Sequence, residues 1–190
     1  MPTTLHFPLL GEPLALDLVN TRVREGGSTR DLLDDPLALA TWLAAQAARV
    51  RWAGAVTPAD LKAVRALRDA IAALLAARRV RARPPRAALA TVNTALSAPL
   101  TPPQLTWRSA GPRMRRSPDA AQRGALLHAL ALDAATLLTG PNAARVRTCA
   151  HPDCMLQFMA LNPRRKWCTA SVCGNRARVA RHFRRHRGAE

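Results

Sequence analysis

Four cysteines carry the most specific chemistry in this chain. All lie within the last 42 of its 190 residues, as Cys149-x4-Cys154 and Cys168-x4-Cys173 with 13 residues between the pairs. Two thiol pairs on short loops can deliver four sulfurs to one tetrahedral ion, the closed geometry of structural zinc. Four protein thiolates leave no position for water or substrate, so such an ion would be structural, not catalytic. Two other readings compete. Two disulfides require an oxidising compartment, yet the N-terminus has no basic leader region, and Glu12 and Asp17 fall where a signal's apolar stretch would run. An iron–sulfur cluster accepts the same four thiolates. One Zn2+ suits their number and pairing best, and with four sulfurs present neither His151 nor His182 is needed as a ligand. The segment around them is polar, and structural zinc is worth roughly 10–16 kcal/mol in finger peptides, enough to organise it.

The second chemical signal is positive charge. The chain has 29 basic and 12 acidic side chains, a net charge of +17. Residues 1–75 carry eight of each, residues 76–148 carry twelve basic against two acidic, and residues 149–190 nine against two. Only Lys62 and Lys166 are lysine. Codon bias explains an Arg-for-Lys exchange but not the missing carboxylates, and a polycation of this kind suits a phosphate-rich partner. Arg164, Arg165 and Lys166 form a basic loop beside Trp167, and no acidic residue occurs from Gly174 to Arg187. As a helix, that tail gathers Arg178, Arg181, His182 and Arg185 on one side, with Val179 and Phe183 available to pack on the cysteine loops.

The elements that must position these groups are mostly helical. Leu14–Asn20 is expected to be a short helix behind Pro13. Asp35-Pro36 opens a second, Leu37 to about Val50. Thr57 caps a third that runs to about Arg79, with Pro58 first and Asp60 three residues after the cap. Pro84-Pro85 precede a short helix with Leu89, Val92 and Leu96 inward, and Ser117-Pro118-Asp119 opens a long one to about Thr139, stopped by Gly140-Pro141. Between those two, Leu105–Arg108 and Arg113–Arg115 flank Ala110-Gly111-Pro112 as a small β-hairpin. The fold class is therefore mainly α: a helical domain over 1–145 with one β-hairpin, then a four-cysteine finger with a basic tail helix over 146–190. No apolar run is long enough to span a bilayer, and the expected location is cytoplasmic.

The segment from Cys149-Ala-His-Pro-Asp-Cys154 through Lys166-Trp-Cys168-Thr-Ala-Ser-Val-Cys173-Gly-Asn-Arg176 resembles the CGNR zinc finger of bacterial proteins. Gly11-Glu-Pro-Leu-Ala-Leu-Asp-Leu-Val-Asn-Thr-Arg22 and Asp31-Leu-Leu resemble its companion ABATE domain, a family whose label assigns it to stress-induced transcription regulation. The resemblance implies zinc on the four cysteines and DNA as the finger's partner. It departs in one place. The loop between the cysteine pairs is shorter than in the family. Where the family carries an acidic residue and a Ser or Thr after the aromatic matched by Phe158, this chain reads Met159-Ala-Leu-Asn162. Within the signature, Gly174 allows a tight turn, the amides of Gly174 and Asn175 can donate to sulfur, and Asn175 can cap the tail helix.

These features give three functional readings. In the first, the protein is a DNA-binding transcription regulator: Arg164, Arg165, Lys166, Arg176, Arg178, Arg181 and Arg185 contact nucleic acid, expected to be duplex DNA, and a homodimer supplies enough base pairs for specificity. In the second, it binds DNA or RNA without sequence preference. In the third, the N-terminal domain senses a small molecule without catalysis, through the polar cluster Asp17, Asn20, Thr21 and Arg22. No nucleophile–base pair, phosphate-cradling glycine loop or open metal triad is visible, and His6 and His128 are isolated, so the chain does not read as an enzyme.

Overall fold

The computed structural model describes residues 7–98, 104–115 and 119–187; His6 and the cap residues Ser117 and Pro118 lie outside them. Among the described residues the fold is mainly helical, with three antiparallel strand pairs, in the order α1 (Leu14–Val19), β1 (Arg22–Glu25), β2 (Ser28–Asp31), α2 (Pro36–Ala45), α3 (Pro58–Arg79), α4 (Arg86–Leu96), β3 (Gln104–Arg108), β4 (Gly111–Arg115), α5 (Asp119–Thr139), β5 (Val146–Thr148), β6 (Gln157–Met159) and α6 (Asn175–Arg187).

Local signals fix several boundaries. Asp35 Oδ1 accepts the Ala38 amide at 2.7 Å and starts α2. Thr57 and Asp60 exchange hydrogen bonds as a capping box at the head of α3, with Pro58 at its first position. The second helix is shorter than expected, ending at Ala45 rather than Val50. Beyond it the chain tightens, and Gln46 and Arg49 turn inward to reach the buried carboxylate of Asp17. On α4 the inward stripe is Ala88, Val92 and Ala95, while Leu89 is exposed. Small residues on that face let the helix lie close against α3 and α5.

The hairpin expected around Gly111 is β3–β4. Two further pairs escaped the sequence reading. β1 and β2 are joined by Gly26-Gly27, both at positive φ (57° and 82°), the backbone that a two-residue hairpin link of primed type demands. β5 and β6 bracket the first cysteine pair.

The main core gathers Leu16, Leu18, Leu33, Leu39, Trp42, Val64, Ile71 and Leu130 from α1, α2, α3, α5 and the segment after β2. Buried within it, Arg68 on α3 donates to both carboxylate oxygens of Asp31 (2.6 and 2.7 Å), to Thr21 Oγ1 and to Asp69. A second, smaller cluster joins Cys149, Phe158, Ala160, Cys168 and Cys173, with Leu10 and Trp167 packed on it. Val146 and Met159 lie against the main core, so the β5–β6 pair touches both.

Candidate metal centre and nucleic-acid interface

The two cysteine pairs reach one point by different local devices. Cys149 and Cys154 sit in the β5–β6 loop, where the Cys149 amide donates to Leu156 O and the Cys154 amide to His151 O. Cys168 is tied to that loop by its own amide, which donates to Cys149 Sγ at 3.4 Å. After it, Thr169 Oγ1 accepts the Val172 amide and caps a π-helical turn, Ala170–Gly174, that carries Cys173 and leads into α6. Thr169, not Asn175, is thus the cap, and the Gly174 amide donates to Thr169 O rather than to sulfur. Asn175 is already helical. Gly174 packs closely: a Cβ there would stand 3.3 Å from Cδ1 of Trp167, which would have to give by a few tenths of an ångström. Trp167 is accordingly part of the small core.

All four Sγ atoms lie within 4.8 Å of one another, with Cys154–Cys168 at 3.9 Å and Cys168–Cys173 at 3.5 Å. Thiolates about 2.3 Å from a tetrahedral ion stand about 3.8 Å apart, so the set fits one zinc at its centre. The cysteines are free, which sets the disulfide reading aside. Their ionisation points the same way. Hydrogen bonds from Cys154, and then from Cys173 and Cys149, outweigh burial and bring Cys168 down to about 5. The contact with Cys168, aided by burial, pushes Cys154 up, and burial pushes Cys173 up to about 12. Of these three, Cys168 is the one held toward the thiolate; a dication at the centre would favour ionisation of its ligands. The four cysteines form a zinc-binding cluster.

The layer behind the sulfurs comes partly from the other end of the chain. Arg165 donates to Cys168 O (2.6 Å), Trp167 O and Met159 O, lies 4.3 Å over the Phe158 ring, and pairs with Glu12 (3.1 Å). Glu12 also accepts the Met159 amide at 2.8 Å. Asn20 grips the same strand: its Oδ1 accepts the Gln157 amide (2.7 Å) and its Nδ2 donates to Gln157 O (2.9 Å). Glu12 and Asn20 bracket α1, whose Ala15 amide donates to Asp133 Oδ1 of α5. Together they cover the outer edge of β6 as a neighbouring strand would. The carboxylate that the finger loop lacks near Phe158 is thus supplied to Arg165 from before α1.

The sequence-predicted residues divide accordingly. Arg164, Lys166, Arg176, Arg178, Arg181 and Arg185 are exposed, with Arg178 bonding weakly to Ala170 O and Asn175 Oδ1 at the root of α6. Arg165 is spent on internal contacts. Val179 and Phe183 do not pack on the cysteine loops; they are exposed along α6. Of the polar cluster near α1, Asp17 faces Gln46 and Arg49, Asn20 faces β6, Thr21 accepts from Arg68, and Arg22 pairs with Asp69 at the surface. The four point to separate partners. His128 Nδ1 meets Leu96 O. Sequence reasoning missed Glu12 and Arg68, since no local spacing connects either to its partners.

Residues 12–141 match the family model ABATE, described as "Putative stress-induced transcription regulator", and residues 145–186 match the CGNR zinc finger. The chain belongs to the ABATE family. Glu12, which reaches into the finger, is the first residue of the ABATE match, and all four thiol ligands fall inside the finger match. The two families are a regulator and a zinc finger; neither is an enzyme family. No curated protein matches the chain. Among the described residues, no helix is long and apolar enough to cross a membrane.

Proposed function

We propose that this ABATE protein is a cytoplasmic DNA-binding transcription regulator in which the zinc cluster fixes the root of α6 and α6 meets the duplex. The observation that carries this reading is the composition and exposure of that helix. Arg176, Arg178, Arg181 and Arg185 are exposed on it, no carboxylate occurs between Asn175 and Arg187, and its first residue follows the turn that holds Cys173. An Arg-faced helix of this length suits a groove lined by phosphates, and Arg is the commonest reader of guanine in the major groove. Arg164 and Lys166, exposed on the loop between the cysteine pairs, add phosphate contacts, whereas Arg165 serves through the finger's geometry. The exposed pair Val179 and Phe183 supports self-association along α6, which would give a homodimer two half-sites. The helical domain over 1–145 would carry the signal, and the region around Asp17, Asn20, Thr21 and Arg22 would respond to it by moving the strand that Asn20 holds.

The test is binding of the zinc-loaded chain to duplex DNA and to RNA across a salt series, with selection from a random pool at the highest salt. Zinc-dependent, sequence-selective duplex binding that survives high salt is the expected result. Binding that disappears with salt and ignores sequence would reduce α6 to a general polycation.

A further inference from the structure

The longest stretch without a carboxylate outside the finger runs from Asp69 to Asp119. Its densest part is the turn between α3 and α4, where Arg78, Arg79, Arg81, Arg83 and Arg86 are all exposed. Among the described residues no ion pair includes any of the five; the acidic side chains that do pair, such as Asp17, Asp31, Asp60 and Asp69, take Arg49, Arg65, Arg68, Arg123 or Arg22 instead. The dipole of α3 explains only Arg78 and Arg79, in its last turn. Arg86 is the first residue of α4, the end where a cation is disfavoured, and that helix has neither an acidic residue in its first turn nor a side-chain cap. Five mutually repelling cations therefore stand around a helix start whose amides also seek an anion.

This turn adjoins the finger. Arg79 Nη1 donates to Thr148 Oγ1 at 2.7 Å, and Thr148 is the residue before the ligand Cys149. On the opposite face of β5, the neighbouring Arg147 is exposed and donates to Pro163 O, beside Arg164. The exposed cations of the helical domain and of the finger thus flank β5.

We infer that the α3–α4 turn is a second phosphate-binding surface for duplex DNA, so that the helical domain and the finger contact one stretch of backbone together. The inference rests on the function proposed above and extends it to residues of the helical domain. Arg78, Arg81, Arg83 and Arg86 are the contacts, and Arg79 holds the turn against β5.

The experiment uses the full zinc-loaded chain and a short duplex, comparing wild type, the turn variant R78Q/R81N/R83Q/R86Q and the helix variant R178Q/R181Q/R185Q. Each substituted side chain is exposed, and Asn at position 81 tolerates the positive φ of 54° there. The expected result is a turn variant with unchanged zinc content and circular dichroism, a slope of log affinity against log salt shallower by about two to four units, and affinity at least about tenfold weaker at low salt. A turn variant that keeps the wild-type slope while the helix variant loses it overturns the inference and leaves the proposed function standing. A wild type that binds no duplex overturns both. Loss of binding to phosphatidylserine vesicles with duplex binding intact overturns it in favour of a membrane surface.

Discussion

Glu12 and Arg165 are 153 residues apart in sequence and 3.1 Å apart in the fold, and the same Arg165 nitrogen donates to the carbonyl of the zinc ligand Cys168 at 2.6 Å. One carboxylate before α1 therefore orients the guanidinium that fixes the backbone behind a metal thiolate.

Glu12→Gln is expected to weaken zinc binding without touching a ligand. Loss of such an outer contact typically costs about 10- to 100-fold in metal affinity. Competition with a chromophoric chelator measures it, and unchanged zinc affinity would show that Arg165 keeps its position without the carboxylate.

Asn20→Ala should strip both main-chain partners from Gln157 at once. A buried group left unpaired costs about 1–3 kcal/mol, and with Gln157 half-buried a destabilisation of about that size is expected in chemical unfolding. Amide exchange should report it first at Gln157 and Met159, before the main core is affected.

Asp31→Asn tests the buried cation. Removing one partner of a buried ion pair costs about 3–5 kcal/mol, and Asp69 offsets part of that here. The wild-type pH dependence follows from the same contact. Burial raises the Asp31 carboxyl, but Arg68 more than compensates and holds it below its ordinary value. Asp60 is likewise held low, its hydrogen bonds from Thr57 and Arg123 overcoming burial. Groups depressed in the fold contribute stability that is complete above the unfolded value, about 3.9, and lost as pH falls through the lower folded value. Stability should therefore fall steeply below about pH 4, and less steeply in Asp31→Asn, as urea titrations at successive pH values would reveal.

Cys168→Ser should abolish stoichiometric zinc and leave the helical core folded. Amide protection should vanish from the cysteine loops and α6 while α3 and α5 keep theirs. Retained protection across Ala170–Arg187 in the zinc-free variant would mean that the metal is not what orders this segment.

Much of this architecture is written in short-range patterns. Thr57 and Asp60, Asp35 and Ala38, and the paired cysteines all act across three to five residues, so their types and spacing suffice. Gly26-Gly27 was an equally local signal, obscured because the strands it joins are polar and exposed and show no apolar alternation. What spacing could not supply is long-range pairing. Glu12, Asn20 and Arg165 look like a turn residue, a helix-end amide and a surface cation until the fold brings them to β6 and Cys168. Leu89 and Ala88 illustrate a subtler case: both give a helical stripe with Val92, and only the proximity of α3 and α5 selects the smaller one.

The covered edge of β6 also limits how freely the finger can be exchanged. A hybrid that joined this finger to another helical protein would leave the Gln157 and Met159 amides without the acceptors that Asn20 and Glu12 provide, and would take from Arg165 its carboxylate partner. A recipient that carries a carboxylate and an amide in the same two places would restore these contacts, and one that lacks them would receive a finger with an open strand edge.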